Sequence, residues 1–110
     1  MDTISLTNLA RARLEDARGA SNGRASTTAY GGREHSLRQT LIALLGGQEL
    51  HEHESPGEAT VHVLQGLVEL RAGDDVWKGS PGDLLIVPDA RHSLAAVEDS
   101  VVLLTVANRV

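Results

Sequence analysis

Residues 46–66 read GGQELHEHESPGEATVHVLQG, and the reading of the whole chain turns on this stretch. At its centre stand His51, Glu52 and His53. On an extended strand, successive side chains point to opposite faces, so positions two apart share one. Uninterrupted alternation therefore puts His51 and His53 on the same face. Two imidazoles side by side are half of a metal site. Ser55, Pro56 and Gly57 form a turn signal, because proline fixes φ and glycine tolerates positive φ. Glu58 follows, and then the β-rich run Ala59 to Leu64, closed by Gly66.

Working outward, residues 36–45 spell a long strand, with Leu37, Leu41 and Leu45 on one face. Downstream come short strands at Leu67–Arg71, Val76–Lys78, Leu84–Val87, Ser93–Val97 and Val101–Ala107. Residues 72–75 (AGDD) form a hairpin turn between two of them, and Ser80, Pro81, Gly82 and Asp83 place proline and glycine as a type II turn requires. Upstream, Leu6, Leu9, Ala10, Leu14 and Ala17 recur at helical spacing and predict a helix over residues 4–18, with Ser5 or Thr7 as cap and Gly19 beyond its end. Residues 19–28 have the composition of a linker. The expected division is a helix and linker over residues 1–27 and a β domain over residues 28–110. Many short strands after one helix indicate a sandwich or barrel.

Composition narrows the function. The chain has 110 residues, the size of one domain, and 41% of them are hydrophobic, as in globular proteins. It has no cysteine, which excludes disulfides, thiolate ligands and a cysteine nucleophile and suits a cytoplasmic location. No signal peptide and no membrane-length apolar run is visible. A net charge of −5, with ten scattered basic residues, argues against nucleic acid. Tyr30 and Trp77 are the only aromatic residues, so a cavity would be lined by aliphatic side chains. Phosphate-binding glycine loops and a nucleophile elbow are absent.

The central stretch resembles the first motif of the cupin superfamily, G-x5-H-x-H-x3,4-E-x6-G. Gly46 lies one residue closer to His51 than that motif asks, and Glu58 one residue further from Gly66. Residues 82–92, GDLLIVPDARH, resemble the second motif, G-x5-P-x-G-x2-H-x3-N, with His92 at the third histidine and Ala96 at the asparagine. The resemblance implies an all-β, double-stranded β-helix (jelly-roll) barrel in which His51, His53 and His92 converge on one divalent transition metal (Zn, Ni, Mn, Fe or Cu). Glu58 is the fourth candidate ligand, unless Ala59 takes the glutamate's place and Glu58 faces away. His62 and Arg91 are candidate contacts for a small apolar or anionic ligand. The chemistry implied is metal-assisted: dioxygen activation or polarisation of a carbonyl. The alternative is a metal-free cupin acting as a ligand sensor or structural module. Exposed sheet edges further suggest a homodimer, with residues 27–31 and 36–45 as candidate edge segments.

Overall fold

The computed structural model describes residues 2–53 and 57–107, apart from the side chains of Glu52 and His53. Helix α1 (Leu6–Gly19) precedes nine strands: β1 (Arg24–Gly31), β2 (Leu37–Leu44), β3 (Glu49–His53), β4 (Glu58–Gln65), β5 (Val68–Ala72), β6 (Asp75–Gly79), β7 (Leu84–Ile86), β8 (His92–Ala96) and β9 (Ser100–Ala107). They form two antiparallel sheets, one ordered β1-β2-β9-β4-β7 and the other β3-β8-β5-β6. This is the expected all-β jelly roll.

The sheets close over an apolar core because their inner faces alternate cleanly. Ala59, Val61 and Val63 are buried on β4, Val102 and Val106 on β9, Val68 and Leu70 on β5, and Leu94 and Ala96 on β8. A second core lies outside the larger sheet. There Ala10, Leu14 and Ala17 of α1 pack on Leu41, Ala43, Val101 and Leu103. The helix begins where a serine can cap it: Ser5 Oγ accepts a hydrogen bond from the Asn8 amide at 3.2 Å.

Turns that the glycines and prolines mark are realised. Gly73 (φ 58°) sits in the β5–β6 hairpin and Gly82 (φ 95°) in the turn before β7, where the Asp83 amide donates to the Ser80 carbonyl at 2.9 Å. Gly66 (φ 87°) packs so closely on Asp99 and Ser100 that a Cβ there would collide with them. The buried Ser100 hydroxyl ties the same bend down, accepting from the Leu67 amide at 3.1 Å and donating to the Glu98 carbonyl at 2.7 Å.

Two expectations need correcting. Strand β1 starts at Arg24, inside the stretch whose composition suggested a linker. Its small residues carry no apolar alternation of their own, and it is held by pairing with β2 and by Ala25 and Ala29 packing under the helix. Strand β2 is not an edge, since it lies between β1 and β9; β1 and β7 are the edges of that sheet. No helix among the described residues is long and apolar enough to cross a membrane.

Candidate functional site

His92 is the centre of the site. It opens β8 and faces the core, in phase with Leu94 and Ala96, and is 5% exposed. Its Nδ1 lies 2.9 Å from the Ala90 carbonyl oxygen. A carbonyl only accepts, so Nδ1 carries the proton and the lone pair falls on Nε2. The ring is thus held in one orientation and one tautomer, an arrangement that also suits a metal ligand. Around it, Ile42, Leu50, Val61, Leu70 and Val102 line an interior space of about 30 Å³, near the size of one water molecule.

His53 stands at the register position opposite His92 on the β3–β8 ladder. Its side chain lies outside the described residues, as do Ser55 and Pro56 of the expected turn.

His51 is placed differently from the expectation. Glu49 pairs with Ala95 and Leu50 with Leu94, but His53 pairs with His92, so β3 carries one extra residue between Leu50 and His53. A bulge of this kind interrupts the alternation. Leu50 packs against the inner core, whereas the His51 side chain is 83% exposed, its Nδ1 3.4 Å from Glu49 Oε1. The interval from Gly46 to His51, one residue short of the motif, was the only sequence signal of this shift.

Glu58 is exposed and Ala59 buried, and β4 runs without a register shift from Glu58 to Val63. Ala59 therefore takes the inner position and Glu58 the outer one. Glu58 lines a separate trough of about 570 Å³ with Thr60, Ile86, Asp89, Thr105 and Ala107. His62 is half-buried on the outer face of β4, paired with Leu84 and Leu103. Arg91 is exposed just ahead of His92. No group of three histidine, aspartate or glutamate side chains that would hold a metal is present among the described residues. As placed, His92 on the inside and His51 on the outside do not converge on one centre, and the His53 side chain lies outside the described residues.

No family model and no curated protein matches the sequence. Solved structures do. The chain is similar to a conserved protein of unknown function from Streptococcus pyogenes at 30% identity, with 83% of this chain and 79% of that chain covered and a TM-score of 0.72. It is similar to an RmlC-like cupin from Desulfovibrio desulfuricans at 28% identity, covering 97% and 96%, with a TM-score of 0.76. A cupin superfamily protein from Desulfitobacterium hafniense shares 21% identity over 78% of both chains at a TM-score of 0.70, a likeness of fold. With its two motif-bearing segments set in a two-sheet jelly roll, the chain belongs to the cupin superfamily.

Proposed function

We propose that this cupin is a non-catalytic, metal-free module, structural or ligand-sensing. The observation that carries this reading is the bulge in β3, which gives the inner position to Leu50 and sets His51 outside. Beside His92 the interior holds about 30 Å³, far below the several hundred Å³ of ordinary ligand sites. A ligand would have to displace core side chains or bind outside the core, as in the outer trough that Glu58 lines. The module forms a homodimer in this reading.

A second reading keeps a mononuclear metal on His51, His53 and His92, with a small apolar or anionic ligand beside it. The orientation of His92 and the position of His53 opposite it favour this reading. It requires the β3 bulge to move by one residue, bringing His51 in and Leu50 out.

Elemental analysis of protein purified without a histidine tag, then incubated with Zn, Ni, Mn and Fe(II), separates the two. The metal-free reading expects no stoichiometric metal and no rise in melting temperature with any of them. One metal per chain, lost in His92→Ala, would establish the second reading.

A further inference from the structure

One margin of the sandwich is open. Strand β1 ends the five-stranded sheet and β3 ends the four-stranded one, and the two are not hydrogen-bonded to each other. Along β1, Ala25 and Ala29 pack under the helix, so Arg24 and Ser26 alternate to the opposite face. Their register partners on β2 are Leu44 and Ile42, both part of the inner core. Between β1 and β3 lies a cleft of about 360 Å³, lined by Asn22, Arg24, Ala25, Ser26, Ile42 and Leu50. Ile42 and Leu50 pack in or against the inner core, and they give the cleft an apolar floor.

The polar side of the cleft is unsatisfied. Arg24 is half-buried, and its guanidinium has no carboxylate partner among the described residues. Arg13, the other half-buried arginine there, pairs with Asp16 at 3.1 Å. Asn22 stands beside Arg24: its Oδ1 accepts from the Arg24 amide at 3.3 Å, and its NH2 group remains a donor. Ser26 adds an exposed hydroxyl. A guanidinium drawn partly out of water gains from a charge-assisted bond, and its planar fork matches the two oxygens of a carboxylate.

We propose that this cleft binds a short-chain aliphatic carboxylate, with its carboxylate on Arg24 and Asn22 and its tail on Ala25, Ile42 and Leu50. Such a ligand is what the ligand-sensing form of the module above would take, and the site rests on that reading. Charge selects a monoanion. One guanidinium neutralises one negative charge, and a chain with a net charge of −5 disfavours a multiply charged anion. The floor selects the tail, because an anion without one would leave Ile42 and Leu50 against water. The volume of about 360 Å³ lies at the small end of ordinary ligand sites, which suits a small molecule.

Titration of isotope-labelled protein with hexanoate, followed through backbone amide shifts by NMR, tests the site. Hexanoate should saturate with a Kd below about 1 mM and should shift the amides of Asn22, Arg24, Ser26 and Leu50 most. Acetate lacks the tail and hexylamine lacks the anion, so each should bind at least about tenfold more weakly. Arg24→Gln should weaken hexanoate at least about tenfold as well. Ser26→Trp, which fills the cleft, should abolish binding, while Arg11→Gln on the exposed face of the helix should bind as wild type. Circular dichroism checks each fold, and Arg24→Gln carries the test if Ser26→Trp unfolds. Titrations on metal-stripped protein and with one equivalent of Zn should agree. Acetate binding as tightly as hexanoate, full affinity in Arg24→Gln, or no saturation by about 20 mM would overturn the site and leave the metal-free reading intact. Hexanoate binding that needs Zn would overturn both.

Discussion

Strands β8 and β3 are neighbours in the smaller sheet and carry the histidines that the motifs mark as ligands, yet they place His92 and His51 oppositely. On β8 the alternation is unbroken, and His92 falls in phase with Leu94 and Ala96 on the core side. On β3 one extra residue enters before His53, and the inner place goes to Leu50 while His51 faces water. The side-chain period of a strand is two, so a single-residue shift reverses every side chain up to the next shift. Motif spacing therefore locates histidines along the chain without deciding which way they point. Burying the Leu50 side chain is favourable by itself, whereas turning an imidazole inward needs a hydrogen-bond or metal partner.

Substitutions along the two strands should sharpen this contrast. The largest effect belongs to β8. Leu94 is 5% exposed, and Leu94→Ala should cost about 2–5 kcal/mol in chemical denaturation. His92→Ala removes a ring and its anchoring bond to Ala90, and about 1–3 kcal/mol is expected. On β3 the costs should fall. Leu50 is only partly buried, so Leu50→Ala should cost about 1–2 kcal/mol, and His51→Ala no more than about 0.5 kcal/mol. A His51→Ala loss equal to that of His92→Ala would mean that β3 points its histidine inward.

The smallest expected effect lies on the outer face of the same sheet. Arg71 donates to Glu69 at 2.7 Å and holds its carboxyl below the ordinary value of 4.5. A carboxylate with a lowered folded pKa stabilises above its unfolded value and loses that contribution as pH falls through the folded one. The melting-temperature gap between wild type and Arg71→Gln should thus narrow as pH drops from 7 to below 4. Arg71 is exposed and Glu69 only half-buried, so the gap itself should be small.

Much of the fold was legible because its turns carry their own chemistry. Pro81 with Gly82, the hairpin at residues 72–75 and Gly66 each mark a bend that the structure makes. The buried alternation of β4 is written in Ala59, Val61 and Val63. The start of strand β1 was not legible, since Ala25, Ser26, Thr27 and Thr28 are small and largely polar, and tertiary pairing makes them a strand. Within the site, His92 was legible because β8 keeps its period. Leu50 was not, because its inward position depends on a bulge that nothing in its own neighbours announces beyond the short interval from Gly46.

Hydrogen–deuterium exchange at C2 of each imidazole, read by mass spectrometry, tests most directly whether His51 shares the interior with His92. The account predicts that His51 exchanges at nearly the rate of free imidazole and His92 far more slowly, with neither changing when Zn or Mn is added. Strong protection of His51, His53 and His92 together, deepening with one equivalent of metal, would contradict it.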